Sequence, residues 1–430
     1  MSTVILGGGI IGASIAYYLS EQQPGQDIHI IESSSTLFSS ASGYAAGFLA
    51  KDWFEPSLLP LGGYSFAEHE ALSAKYAGDK KWGFMKGTAL SLGSRSTDAS
   101  SDSDDWLRTG TSRAETATSQ PVLAEGPEWL TTQKGTAAER ISEGDSVAQV
   151  DPVRLSQFLL DRSLLRGVKL HQQSTATSLI TDSTGTITAV RILNLNTKAE
   201  GTIKCTNLVL AAGAWTPRVF QSLFPASNAT FPIYPLAGYS LLVRSPRYTP
   251  AHERKVNNRS HAVFTTHPPS CGFSPELFSR QGSEIYIAGL NSGEIPVQEC
   301  VEDIKSFFEQ SEVEKLKAVA VRLMGRLPDG TTESTNETPN VDDLEILREG
   351  LCFRPVAERG VPFVGRVDDA ALGVDLRPSR NGGVFVAAGH GPWGISLAPG
   401  TGKAVADLIR GVRPAVDITG LDVGLTKATL

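Results

Sequence analysis

The sequence predicts an α/β fold: a Rossmann-like domain interrupted by an inserted α+β block of alternating strands. Three observations predict it. The apolar run Val4 to Leu6 leads straight into Gly7-x-Gly9-x-x-Gly12, and Ile11, Ile15, Tyr18 and Leu19 then recur at helical spacing. A second apolar run, Ile28 to Ile31, ends in an acid, Glu32. Two more buried-strand runs, Asn207 to Ala212 and Val384 to Ala387, lie far downstream, with alternating strands such as Tyr239 to Val243 and Glu284 to Ala288 between them.

The first element is strand, glycine turn and helix. Gly7 permits the tight turn, Gly9 the approach of a pyrophosphate to the backbone, and Gly12 close packing of helix on strand. The helix start, at Ile10 and Ile11, offers free N–H groups and the positive end of a dipole to phosphate. Glu32 stands where such folds place the carboxylate that binds a ribose hydroxyl, and Ser33 follows it. A lone glycine motif is weak. Here strand, turn, helix, second strand and acid are in register, which points to a Rossmann-like site for an adenine dinucleotide. A plain glycine-rich loop would leave Glu32 unexplained.

Composition bounds the rest. The chain has 430 residues, 40% hydrophobic, enough for two or three domains around a large core. A net charge of −7 argues against a nucleic-acid partner. No apolar run is long enough to span a membrane, and no basic leader, h-region or cleavage site is visible, so a soluble cytoplasmic protein is expected. Cys205, Cys271, Cys300 and Cys352 lack C-x-x-C spacing, which excludes a zinc ribbon or dithiol motif and fits a reducing compartment. No metal-ligand cluster can be assembled.

After Glu32 a serine-rich loop leads to Ala41-Ser42-Gly43-Tyr44-Ala45-Ala46-Gly47-Phe48-Leu49. Small residues there suit either close approach of a flat ligand or a tightly packed helix start. Residues 52–140 read as an insertion, with a strand at Thr88 to Leu92 and a solvated acidic loop from Ser94 to Asp105. Asp151 caps a helix begun by Pro152, with Leu155, Phe158 and Leu159 as its apolar stripe and Gly167 at its end. Strands follow at Val168 to Gln172, Thr175 to Ile180 and Ile187 to Ile192. The strand Asn207 to Ala212 runs into Gly213-Ala214-Trp215, a ligand-suited sheet edge. Residues 226–350 form a second inserted block, with a charged helical region from Val301 to about Leu323. The segment Gly394 to Gly402 opens a last helix, with Arg410 in its final turn and Gly411 just past it. The expected division is 1–51, 141–225 and 351–430 against 52–140 and 226–350.

Several stretches together resemble the D-amino-acid oxidase/glycine oxidase/sarcosine oxidase superfamily. They are Gly7 to Gly12 with Glu32, Ala41 to Leu49, and Val209 to Trp215. Phe353-Arg354-Pro355 with Pro362 to Gly365, and Gly389-His390 through Gly402, complete the set in the family's order. The wording Gly389-His390-Gly391-Pro392-Trp393-Gly394 is similar to a fungal and plant oxidoreductase branch. The resemblance implies a discontinuous FAD-binding domain and an antiparallel-sheet substrate domain covering one side of the flavin. It implies hydride removal from a carbon next to an amine nitrogen, hydrolysis of the resulting imine, and oxygen as the common electron acceptor. A dehydrogenase using a protein or quinone acceptor, or a binding or trafficking factor with vestigial catalysis, are the alternatives.

Carried over residue by residue, the resemblance puts Gly7, Gly9 and Gly12 at the pyrophosphate and Glu32 at the ribose. Ala41, Ser42 and Gly47 lie along the flavin end, with Phe48 near the ring, Ala176 at adenine, and Ala212, Gly213 and Trp215 on the dinucleotide. Gly391, Trp393, Gly394, Ile395 and Ser396 lie at the helix start whose N–H groups stabilise charge on reduced flavin. Arg354 matches the arginine that pairs with a substrate carboxylate, a task suited to a planar fork. Cys352 matches the cysteine that forms a thioether to flavin in sarcosine oxidases, which glycine and D-amino-acid oxidases lack. The sequence mixes the two patterns, so both covalent and free FAD stay open. His390 is a candidate to bind substrate or polarise flavin, or a packed turn histidine. Tyr239 and Tyr44 are candidate pocket walls, Trp393 replaces the basic residue often found nearby, and Lys51 is a candidate for oxygen activation.

Overall fold

The computed structural model describes residues 1–94, 112–265, 273–335 and 338–423. Residues 95–105 of the acidic stretch, and Cys271, lie outside the described residues. From the N-terminus run β1 (Thr3–Leu6), α1 (Ile10–Ser20), β2 (Ile28–Glu32), β3 (Phe48–Ala50), α2 (Leu59–Tyr76) and β4 (Met85–Ser94). Next come β5 (Val122–Ala124), β6 (Thr136–Arg140), β7 (Val147–Gln149), α3 (Pro152–Leu165) and β8 (Lys169–Gln172). Then follow β9 (Ser174–Thr181), β10 (Ile187–Asn194), β11 (Glu200–Lys204), β12 (Asn207–Leu210), β13 (Ile233–Arg244) and β14 (Ser260–Thr265). Last are β15 (Glu276–Arg280), β16 (Glu284–Ser292), α4 (Gln310–Met324), β17 (Glu345–Ala357), β18 (Phe363–Arg366), β19 (Gly383–Ala388) and α5 (Gly394–Ile409).

One sheet has the order β18-β19-β12-β1-β2-β8. It is parallel apart from the β18–β19 pair. Its central strand β1 is buried on both faces, which is why Val4, Ile5 and Leu6 read as an unbroken apolar run rather than an alternation. β9, β10 and β11 form a small antiparallel sheet. A large mixed sheet runs β17-β13-β16-β15-β14-β4-β6-β5. Its pairs are antiparallel except β14 with β4. The strand expected at Thr88 to Leu92 is the middle of β4.

The large sheet has two buried faces, and period two assigns its side chains. Leu241, Val243, Ile285 and Ile287 point to one face, where Val313, Leu316 and Leu323 of α4 cover them. The other face carries Phe264, Phe278, Tyr286 and Ala288 and packs toward α5 and β3. Asp151 caps α3 as its sequence predicts, accepting the Arg154 N–H at 3.0 Å with Pro152 in the first turn. α2, in the stretch expected to belong to the inserted block, packs against α5 through buried residues such as Leu61 and Phe66.

The charged region expected as one helix from Val301 is two. A 3₁₀ segment, Val301–Phe307, ends before α4 starts at Gln310. Phe308 and Glu309 are extended between them. The Tyr239 hydroxyl holds the break, donating to Phe307 O and accepting the Glu309 N–H, each at 3.1 Å. No helix among the described residues is long and apolar enough to cross a membrane.

Candidate functional site

A cavity of about 520 Å³ runs from the glycine turn after β1 to the inner face of the large sheet. That volume is in the range of ligand and cofactor sites. Gly7 has φ +109°, and a Cβ there would stand 2.4 Å from Ala211 O. A Cβ on Gly12 would meet Gly7 O at 2.0 Å, so this glycine seats the helix on the turn and does not line the cavity. Gly7, Gly9, Ile10 and Ile11 do line it. The Ile10 N–H donates to Ser42 Oγ at 2.9 Å, which ties the turn to the small-residue stretch.

Glu32 lines the cavity at the end of β2, beside Ser33. Its two carboxylate oxygens accept the N–H groups of Gly8 and Ser34, both at 2.8 Å. Burial pushes its carboxyl above the usual range, and those amides pull it back. Across the opening, Glu302 accepts from Ser34 Oγ and from the Ser35 N–H and Oγ, so the 3₁₀ segment latches this loop. Ala176, Ala212, Gly213 and Trp215 line the same end.

Ala41 to Phe48 form one wall. A single helical turn, Ala41–Tyr44, opens it, in line with the small-residue helix start. Four successive carbonyls of this wall are held by side chains of the large sheet. Arg348 donates to Gly43 O at 2.9 Å and Tyr286 to Tyr44 O at 2.9 Å. Arg280 donates to Ala45 O at 2.6 Å and to Ala46 O at 3.0 Å. These bonds fix the approach of Ala45, Ala46 and Gly47 to the cavity. Phe48 is 4% exposed and packs on Trp53, Phe264 and Phe278.

At the far end, His390, Gly391, Gly394 and Ile395 line the cavity where α5 starts. Pro399 lies inside α5 and cannot bond the Ile395 carbonyl. His69 of α2 replaces the missing donor, with Nε2 3.0 Å from Ile395 O, so that nitrogen carries the proton. Ser65 Oγ donates to Ser396 O at 2.7 Å and accepts the Gly400 N–H. The first-turn amides of α5 are thereby held at the cavity. Burial drives His390 down to about 3 and His69 to about 4, so both rings are neutral. His390 Nε2 lies 3.2 Å from Thr401 Oγ1.

Besides Gly12, four expected site residues sit elsewhere. Lys51 is exposed and does not line the cavity. The Tyr239 ring points to the α4 face of β13, opposite to Gly238 and Ser240, because successive side chains of a strand alternate. Trp393 lies behind the wall, packed on Phe54 and Phe48. Ser396 turns its hydroxyl to the backbone of Ala50.

The large sheet contributes Cys352 and Arg354, two residues apart on β17 and both lining the cavity. Burial raises the Cys352 thiol above its ordinary range. Arg354 Nη1 donates to Asn291 Oδ1 at 2.6 Å. Sequence reasoning missed Arg113 and Glu276, which also line the cavity and form an ion pair of 2.8 Å with side chains 6% and 9% exposed. An acid in the apolar strand sequence Glu276-Leu277-Phe278 was the one local signal. Nothing near Arg113 announced its partner.

The family model described as "FAD dependent oxidoreductase" (DAO) matches residues 2–408. A Schizosaccharomyces pombe protein named only as an oxidoreductase is 26% identical over 94% of this chain and 93% of that protein. Glycine oxidase of Geobacillus kaustophilus is 26% identical over 96% of this chain and 94% of its own. The crystal structure of glycine oxidase from Geobacillus kaustophilus superposes with a TM-score of 0.69 at 21% identity, covering 98% of each chain.

Proposed function

The chain belongs to the FAD-dependent oxidoreductase (DAO) family, and on that premise we propose that it oxidises the C–N bond of an amino acid or secondary amine to the imine, with oxygen as electron acceptor. The residues fit FAD. The glycine turn and α1 would hold the pyrophosphate, and Glu32, fixed by two amides, would take a ribose hydroxyl. The wall Ala41 to Phe48 and the start of α5 would flank the ring. When bound, FAD supplies the two-electron chemistry: it takes a hydride from the carbon next to nitrogen and returns the electrons to oxygen as hydrogen peroxide.

The chain's own task is to bind and orient. Arg354 carries the reading. Its Nη1 is tied to Asn291, while Nη2 and Nε have no protein partner among the described residues and are left for a carboxylate. His390 is neutral and buried, so it offers the site no positive charge. The first-turn amides of α5 would stabilise negative charge on the reduced ring. Water attacks the released imine, giving the carbonyl product and ammonia or an amine.

The test is an anaerobic screen of the flavin-loaded protein with amines and amino acids, reading loss of the yellow absorbance, followed by admission of oxygen. Bleaching by an amino acid with peroxide release is expected. Failure of every amine and amino acid to bleach the flavin would overturn the reading. A second reading, a dehydrogenase with a protein or quinone acceptor, is favoured by one observation: no lysine stands among the described residues that line the cavity. Bleaching followed by slow return of colour in oxygen would select it.

A further inference from the structure

We infer that Glu276, held by Arg113, receives the positively charged nitrogen of the substrate opposite the Arg354 carboxylate site. The inference rests on the amino-acid reading above and adds a second recognition element to it. Arg113 Nη2 grips Glu276 Oε2 at 2.8 Å. The other oxygen, Oε1, has no protein partner among the described residues, and Glu276 lines the cavity. The carboxylate is therefore fixed through one oxygen and offers the second to a guest.

Of the two cross-strand neighbours of Glu276, Phe264 on β14 is large and the one on β16 is small. Glu276 stands directly across from Ala288 of β16, whose methyl reaches little of the space above the strands. Arg354 lies on the same face and spans toward β16 to reach Asn291. One side of the chamber thus presents guanidinium N–H groups and the other a carboxylate oxygen. Arg113 cannot swing away, because its guanidinium lies over the Trp393 ring at 5.1 Å and the Phe264 ring at 5.9 Å. That packing gives Trp393 a purpose although it stays outside the cavity. The arrangement matches a guest with a carboxylate at one end and an ammonium within the same small frame. A buried carboxylate oxygen beside an uncharged group would lose hydration without compensation.

Two unreactive ligands of the same shape test this. In 2-aminoisobutyrate an ammonium occupies the place of one methyl of 2,2-dimethylpropanoate, and neither has a hydrogen on the carbon next to the carboxylate. Binding to the flavin-loaded protein is read by perturbation of the flavin absorption. Glu276→Gln should weaken 2-aminoisobutyrate about tenfold or more, the scale of one charge-assisted hydrogen bond, and leave 2,2-dimethylpropanoate unchanged or tighter. Arg354→Lys should weaken both. Equal effects of Glu276→Gln on the two ligands, or none on either, overturn the inference. If Glu276→Gln does not fold, Glu276→Asp keeps the charge but withdraws it by one methylene, and the same selective loss is expected. If neither ligand perturbs the wild type and no amino acid bleaches it, the amino-acid reading itself fails, and the role of Glu276 with it. Bleaching by amino acids together with an unselective Glu276→Gln rejects the Glu276 role alone.

Discussion

Arg354 of β17 reaches Asn291 of β16 by lying across Gly238 of the strand between them. A Cβ on Gly238 would stand 2.1 Å from Arg354 Nη1, and Gly238 pairs in register with both Cys352 and Asn291. The glycine is the gap through which the guanidinium crosses the sheet. The backbone of β13 needs no unusual torsion there, so the requirement is one of space alone.

Gly238→Ala should therefore push Arg354 off Asn291 without unfolding the strand, since the clash is with the end of a flexible side chain. A displaced guanidinium loses a charge-assisted hydrogen bond to the ligand, about 1.5–3 kcal/mol, which should weaken carboxylate ligands roughly tenfold or more while flavin content stays unchanged. Arg354→Lys should act in the same direction, because an ammonium cannot form the planar fork. Comparing an amino acid with its decarboxylated amine by rapid flavin reduction checks both variants. Equal damage to the two substrates would assign Arg354 to structure.

Purified protein should be yellow, with one FAD per chain, and Gly9→Asp should abolish the colour. A carboxylate at this position would face the pyrophosphate, and even its Cβ would stand 3.1 Å from Ser42 Oγ. Full flavin content in that variant, read from the absorbance of the purified protein, would sink the assignment of the glycine turn.

Cys352, a buried thiol in the cavity wall two residues from Arg354, is a candidate point of covalent attachment. Acid precipitation should leave the colour in the pellet, and Cys352→Ala should release it to the supernatant. Colour released from the wild type would make Cys352 a packing residue.

Stability should fall as pH drops from about 6.5 toward 4. His69 is held at about 4 and His390 at about 3, both by burial, whereas an unfolded histidine takes its proton near 6.5. Between these values the unfolded state binds more protons, so acid favours it, by about 1.4 kcal/mol per pH unit for each histidine. His69→Gln can still offer an N–H toward Ile395 O and removes one titrating group. Its melting temperature should decline less steeply than that of wild type between pH 6.5 and 4.5. Parallel slopes would contradict the pH argument.

What the sequence determined by itself was whatever neighbours in the chain decide. The glycine turn, the buried run of β1, Glu32 at the end of β2, the Asp151 cap, and the shared side of Cys352 and Arg354 all follow from local geometry and short periods. Tertiary structure decided the rest. Tyr239 looked like a pocket wall, yet strand register turned it toward α4, since one residue of displacement exchanges the faces. The break at Phe308 and Glu309 depends on the Tyr239 hydroxyl from a distant strand. Pro399 sits within a helix because His69 and Ser65 of another helix satisfy the freed carbonyls. Arg113 and Glu276 are 163 positions apart in the chain and meet only because the large sheet has its particular strand order. A hydrogen-bonding preference or a hydrophobic period is written into a short segment. The partner of a buried charge is set by packing across the whole fold.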